Sequence, residues 1–82
     1  MTVKDDTLGW ALVRNGNYEE GLPVLRVAYK AWPTNAAVQY HLGWTLIKRG
    51  QKAEGMRLLQ QAAASGRPDT AEQARKAIAE FS

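Results

Sequence analysis

The sequence predicts an all-α fold in which antiparallel helical hairpins repeat along the chain. Five segments carry apolar residues at helical spacing, and glycine separates the first from the second and the third from the fourth. A 34-residue register relates the two halves, because residues 2–34 laid over 36–68 give nine identities. The identical pairs are Leu8 and Leu42, Gly9 and Gly43, Trp10 and Trp44, Leu12 and Leu46, Gly16 and Gly50, Glu20 and Glu54, Gly21 and Gly55, Leu25 and Leu59, and Ala28 and Ala62. A unit of this length cannot bury its own apolar face, so we expect it to stack on its neighbour.

The first predicted helix runs from Val3 to Val13. Thr2 followed by Asp5 has the spacing of a capping pair at its start. Gly16 tolerates the left-handed conformation that ends a helix, which predicts a tight turn there.

The second predicted helix begins after Asn17 and ends at Trp32, because the residue before a proline is pushed out of the helical region. Glu20 lies three residues after Asn17, as in a capping box. The apolar stripe comprises Leu22, Leu25, Ala28 and Tyr29. Pro23 lies about six residues into the helix and removes a backbone donor, so we expect a distorted or kinked first turn.

The third and fourth predicted helices repeat the hairpin over residues 36–49 and 52–65. Thr34 or Asn35 can cap the third helix, and Gly50 makes the turn between the two. The side chains expected to point inward are Val38, Leu42, Leu46 and Ile47 in the third helix and Met56, Leu59 and Ala62 in the fourth.

A fifth helix is predicted to cap the array. Asp69 and Glu72 have capping-box spacing after a break at Pro68. Its narrow apolar stripe comprises Ala71, Ala74, Ala77, Ile78 and Phe81, and its other faces are polar. One apolar and one polar side suit a terminal element. The chain is thus expected to be a single domain over 1–82, with repeat one at about 2–34, repeat two at about 35–68 and the capping helix at about 69–81.

Composition excludes several classes of protein. The 82 residues, 45% of them apolar and 23% charged, allow one globular domain with a thin core. With no cysteine, the chain can form neither disulfides nor thiolate metal sites. No run approaches the ~20 apolar residues of a membrane span, and the start lacks the apolar run of a signal peptide. We therefore expect a soluble chain, from either the cytoplasm or the periplasm, that could be a piece of a longer protein.

The positive charge does not indicate a nucleic-acid partner. The formal net charge is +3, and the nearest cluster is Lys48, Arg49, Lys52 and Arg57 around one turn. A nucleic-acid site needs a longer basic stripe with aromatic rings between the charges. We interpret the cluster as a solvated turn.

The repeated motifs resemble those of the tetratricopeptide repeat (TPR) family. The Leu-Gly pair places Gly9 and Gly43 at the small-residue position of the family's first helix, and Gly16 and Gly50 match its turn glycine. The small positions of the family's second helix, where the helices touch, match Gly21, Ala28, Gly55 and Ala62. Asp5 and Gln39 depart from the aromatic that the family favours early in the first helix. The resemblance implies a right-handed superhelical stack of two hairpins plus the cap, similar to the carboxyl-terminal end of longer bacterial TPR proteins.

The resemblance also implies a concave groove, lined by the first helix of each repeat, that holds a peptide or a helix of another protein. The groove residues carried over to this sequence are Asp6, Trp10, Val13, Arg14, Tyr40, Trp44, Ile47 and Lys48. Exposed tryptophan and tyrosine would anchor the partner there. An alternative is that Trp44 packs beneath Ile78 or Phe81, and Trp10 against the third helix, as core. In either case Tyr40 and Trp44, four residues apart, would stack on each other.

The sequence indicates no catalytic, cofactor or metal site. His41 is the only histidine, and we expect no carboxylate at ligand spacing from it. The carboxylate clamp by which some TPR proteins hold chaperone tails is also missing, because Asp6, Trp10 and His41 stand where it uses Lys, Asn and a second Asn. We therefore predict a non-catalytic protein-interaction module, with Arg14 and Lys48 selecting acidic flanks. The alternative is a structural role in which the uncovered first hairpin stacks on a second copy, by self-association or helix exchange, since three repeats are usually needed for stability.

Overall fold

The computed structural model describes the backbone of residues 3–82 and the side chains from Asp6 onward. The predicted capping pair of Thr2 and Asp5 therefore lies outside the described side chains. Within this range the chain forms five helices and no strand. They are α1 (Val3–Arg14), α2 (Tyr18–Ala31), α3 (Ala36–Lys48), α4 (Lys52–Ala63) and α5 (Pro68–Phe81). The prediction of an all-α repeat array is confirmed.

The two hairpin turns have the same backbone geometry, as the register requires. Gly16 and Gly50 adopt φ angles of 85° and 89°, in the region that side chains disfavour. After each glycine the chain bonds back into the preceding helix, from the Asn17 N–H to the Leu12 carbonyl in the first hairpin and from the Gln51 N–H to Leu46 in the second, both at 2.8 Å. The glycines thus end α1 and α3 in the same manner.

Asparagine begins two of the helices. The Asn17 side chain accepts a hydrogen bond from the Glu20 N–H at 3.4 Å, and Asn35 accepts one from the Val38 N–H at 3.2 Å. Helix α2 continues unbroken past Pro23, which lies on an exposed side of the helix. The missing Pro23 donor therefore does not end the helix.

Helix α5 begins earlier than the sequence indicated. Pro68 is its first residue and Arg67 occupies the capping position without a side-chain cap bond. Proline favours the first helical position, because its missing N–H has no intrahelical acceptor there and its φ is already helical. The capping box expected from Asp69 and Glu72 was wrong, since Asp69 lies inside the first turn.

Within each hairpin the helices touch at paired glycines. A Cβ placed on Gly21 would lie 2.9 Å from the Gly9 carbonyl oxygen, and one on Gly55 would lie 2.5 Å from that of Gly43. No side chain fits between backbones at this separation. The glycines of the repeat are therefore sites of close helix packing.

The core runs through both hairpins and under the cap. Its central cluster comprises Val13, Leu25, Leu42, Leu46 and Leu58. Leu58 had not been predicted as core, whereas the expected Met56 is only half-buried. Gln39 is buried, and its Nε2 donates to the Pro33 carbonyl at 2.9 Å, so this departure from the family pattern ties α3 to the preceding loop.

Helix α5 packs on α3 and α4 through alanines. Ala71, Ala74 and Ala77 are buried, while the side chains between them are exposed.

Along residues 3–82, none of the helices has the length and hydropathy that crossing a bilayer requires.

Candidate functional site: an aromatic groove

An open cavity of about 370 Å³ lies beside α1 and α3. We call it the aromatic groove, and its lining residues are Trp10, Val13, Arg14, Gly16, Tyr18, Tyr40 and Trp44. The helical spacing of Trp10, Val13 and Arg14 places them on one side of α1, and Tyr40 and Trp44 are one turn apart on α3. Three of the four rings in the groove thus come from the equivalent helices α1 and α3, and Tyr18 at the start of α2 adds the fourth.

Trp10 is the centre of the ring cluster. Its ring centroid lies 5.7 Å from that of Tyr40 and 5.4 Å from that of Trp44, the latter in an edge-to-face arrangement. Tyr18 reaches Trp44 from the start of α2 at 6.4 Å. Among the described residues Tyr40 pairs with Trp10 and His41, so the direct stack of Tyr40 on Trp44 that we expected is not formed. Trp10 joins the two rings instead.

Beneath Trp10, a hydrogen-bonded pair of side chains, Asp6 and His41, joins α1 to α3. The His41 Nδ1 lies 2.9 and 3.0 Å from the two carboxylate oxygens of Asp6, and both side chains are largely buried. The imidazole stacks on Trp10 with centroids 4.3 Å apart and an interplanar angle of 14°. Asp6 therefore holds His41, and His41 supports the indole ring from below.

The expectation that no carboxylate lies near His41 was wrong. Asp6 and His41 belong to successive repeats, so their proximity depends on the stacking of the hairpins. In the part of the chain that the structure describes, no group of three or more His, Cys, Asp or Glu side chains is placed to hold a metal ion.

The carboxyl-terminal end of α5 contacts the groove residue Trp44. The Phe81 ring lies 6.3 Å from that of Trp44, and the Lys48 Nζ lies 5.2 Å from the Trp44 centroid and 5.5 Å from the Phe81 centroid. A cation over aromatic faces is attracted to their electron density. Lys48 thus lies above two rings at the end of α3 while staying exposed.

The ionisation of Tyr40 is shifted by its place in the groove. Burial raises the pKa of the phenol, the Glu80 carboxylate raises it further, and the Arg14 guanidinium lowers it. Tyr40 is therefore a neutral hydroxyl at physiological pH, able to donate a hydrogen bond to a partner.

The paired helices, turn glycines and glycine contacts together indicate the family. A family model described as tetratricopeptide repeat matches residues 12–80. The chain belongs to the tetratricopeptide repeat family. No curated protein and no solved structure matched it. TPR units generally serve as protein-interaction modules and are typically non-catalytic.

Five of the eight groove residues carried over from the TPR pattern line the cavity. They are Trp10, Val13, Arg14, Tyr40 and Trp44. Lys48 is outside the lining, with its Nζ 5.2 Å from the Trp44 ring. Asp6 is instead buried against His41, and the Ile47 side chain lies inside the second hairpin, against Gly55. Neither of these two side chains faces the cavity.

Sequence reasoning missed Tyr18 as a residue of the groove. Tyr18 is the first residue of α2 and reaches the cavity because the Gly16 turn is short. Phe81 had been named as a neighbour of Trp44 only in the alternative in which the tryptophans are core. The two interpretations of the tryptophans coexist in the TPR fold, because Trp10 packs on α3 and Trp44 on Phe81 while both stay half-buried and line the groove.

Proposed function

We propose that this chain binds a segment of another protein in the aromatic groove and catalyses no reaction. The supporting observation is that Trp10, Tyr40 and Trp44 form a half-buried wall of an open cavity instead of being fully packed. Such rings offer a large apolar area with few rotatable bonds to immobilise, which is why they dominate binding energies.

The chemistry of the wall defines the partner segment. A volume of about 370 Å³ is at the small end for ligand pockets, which suits one aromatic or branched side chain. Arg14 lines the cavity with an exposed guanidinium, and Lys48 adds positive charge beside Trp44. We therefore expect a segment with an apolar anchor next to an acidic residue, and an affinity that falls with added salt.

A displayed library of random peptides, selected on the intact chain, tests this proposal. Peptides with an aromatic residue beside an acidic one should be enriched, and their binding should change the fluorescence of a Trp32→Phe variant, which leaves Trp10 and Trp44 as the tryptophans. Arg14→Glu should weaken binding at least about tenfold, because it reverses a charge beside the anchor. Arg57→Glu is the matched control, since Arg57 is also exposed but lies on α4, outside the groove lining. If the Arg14→Glu and Trp44→Ala variants bind the selected peptides as tightly as the wild type does, the groove is not the binding site.

A second candidate role is self-association through the first hairpin. Leu8 on α1 is 54% exposed, although its equivalent one repeat later, Leu42, is 1% exposed. A leucine left open at a stacking position favours contact with another apolar surface. Sedimentation at two concentrations tests this role, and a strict monomer at the higher concentration would remove it.

A further inference from the structure

We infer that two copies of this chain pair about a two-fold axis through the outer face of the first hairpin, with α2 antiparallel to α2 of the other copy. The inference rests on the self-association proposed above and adds the surface and the geometry. The outer face comprises Leu8 and Ala11 on α1 and Val24 and Val27 on α2. It is separate from the aromatic groove, with which it shares no residue.

The 34-residue register identifies this face as a stacking surface. Its members Leu8, Ala11 and Val24 correspond to Leu42, Thr45 and Leu58 of the second hairpin. Those three equivalents are all buried, and Leu42 and Leu58 share one cluster with Val13 and Leu25 of the first hairpin. Positions that are buried on the second hairpin are thus exposed on the first at Leu8 and Ala11 and half-buried at Val24.

The outer face also carries an exposed apolar residue where the second hairpin has a polar one. Val27 is 47% exposed, while its equivalent Gln61 is polar. Among the described side chains, the exposed large apolar residues are Leu8, Val27 and Trp32, so two of the three lie on this one face. Glu20, Val24, Val27 and Ala31 follow one another at spacings of four, three and four, a spacing typical of residues along which two helices pack, and we call this row the seam.

The other end of the array does not offer a matching surface. Helix α5 buries its alanine stripe, and the residues facing outward from it include Glu72, Gln73, Arg75 and Lys76, all exposed. A head-to-tail chain of copies would set this polar side on the apolar outer face, leaving charged groups to be desolvated. Two outer faces placed on each other avoid that cost, which gives a closed, isologous dimer.

The charges along α2 determine its direction in such a pair. Glu20 lies near the start of the seam and Lys30 near its end, and both are exposed. An antiparallel arrangement places Glu20 of each copy beside Lys30 of the other, whereas a parallel one places like charges together. The seam is therefore self-complementary only when antiparallel.

Sedimentation of matched aspartate variants tests the surface. The wild type should dimerise in a concentration-dependent manner, and Leu8→Asp should weaken the dimer at least about a hundredfold, because each copy loses one buried leucine. Leu8 is exposed in the single chain, so the helical circular dichroism should be unchanged. Ala79→Asp adds the same charge at an exposed position of α5 and should leave the dimer intact. A dimer that survives Leu8→Asp overturns the assigned face, and one broken by Ala79→Asp overturns the two-fold geometry.

A charge swap tests the direction of α2. Glu20→Lys or Lys30→Glu alone should weaken the dimer up to about tenfold, because each puts like charges side by side at two symmetric positions. The double variant should restore wild-type affinity if α2 is antiparallel. If the single variants dimerise no more weakly than the wild type, the antiparallel pairing is overturned. It is also overturned if the double variant dimerises as weakly as the single variants. A wild-type chain that is monomeric at all concentrations removes self-association itself, while peptide binding in the groove is unaffected by either result.

Discussion

Gly55→Ala provides the sharpest test of the packing described above. An alanine Cβ at this position would lie 2.5 Å from the Gly43 carbonyl oxygen and 2.5 Å from the Ile47 Cγ1, where ordinary contact begins at 3.4 Å. One of these neighbours is backbone and the other is the carbon next to the β-branch of Ile47, so neither is the free end of a flexible side chain. Helices α3 and α4 must therefore move apart by almost 1 Å.

The magnitude follows from two opposing effects. Overpacking of this kind costs about 1–3 kcal/mol, and two simultaneous close contacts place Gly55→Ala near the upper end. Alanine is favoured over glycine in a helix by about 1 kcal/mol, which acts in the opposite direction. The expected net loss in the free energy of unfolding is about 2 kcal/mol, which lowers Tm by roughly 8–16 °C in a domain of this size.

Urea and thermal unfolding followed by circular dichroism measure this loss. Gly66→Ala is the matched control, because a Cβ there meets nothing within 4 Å and its φ is not positive. It should change the free energy of unfolding by less than about 0.5 kcal/mol. If Gly55→Ala is as stable as Gly66→Ala or more stable, the glycine contact does not set the distance between the helices, and the reasoning fails.

Three further outcomes are expected. His41→Phe should destabilise the chain by about 1–3 kcal/mol, because it leaves the buried Asp6 carboxylate without its partner, and a double-mutant cycle with Asp6→Asn measures the coupling, which would be near zero if the pair were incidental. Because the folded state raises the pKa of Tyr40, its contribution to stability is fully present below pH 10 and is lost as the pH rises through the pKa of the folded state. Tyr40→Phe should therefore remove the part of the tyrosinate absorbance titration that occurs at the highest pH. An unchanged titration would contradict a raised pKa at Tyr40. Arg26→Ala should cost less than about 1 kcal/mol, since its 3.5 Å ion pair with Glu54 is exposed, and a larger loss that resists salt would show that Arg26 acts through packing.

The helices could be predicted from the sequence because their signals are local. Apolar spacing, the glycine turns at Gly16 and Gly50 and the asparagine caps each depend on a few neighbouring residues. The start of α5 was missed because Pro68 can either break a helix or begin one. Only the geometry of the preceding turn distinguishes these outcomes.

The groove could be predicted only in part, because it depends on contacts between repeats. Trp10, Tyr40 and Trp44 were identified from the resemblance to the TPR family, in which the first helix of each repeat lines the groove. The pairing of Asp6 with His41 depends instead on how far α1 is rotated and shifted against α3, and no local pattern reports that. Two polar residues 35 positions apart, one beyond the repeat length, were the available signal.

In a single copy of the chain, we expect the open outer face to affect how the chain unfolds locally. Stacked repeats gain stability from each neighbour, and the first hairpin has one neighbour within this chain while α3 and α4 lie between α2 and α5. Amide hydrogens of α1 should therefore exchange with solvent at a lower opening free energy than those of α3. When α1 opens, Trp10 leaves the groove and His41 loses its contact with the Asp6 carboxylate. A peptide bound in the groove should therefore slow amide hydrogen exchange along all of α1, including the side that the peptide does not contact.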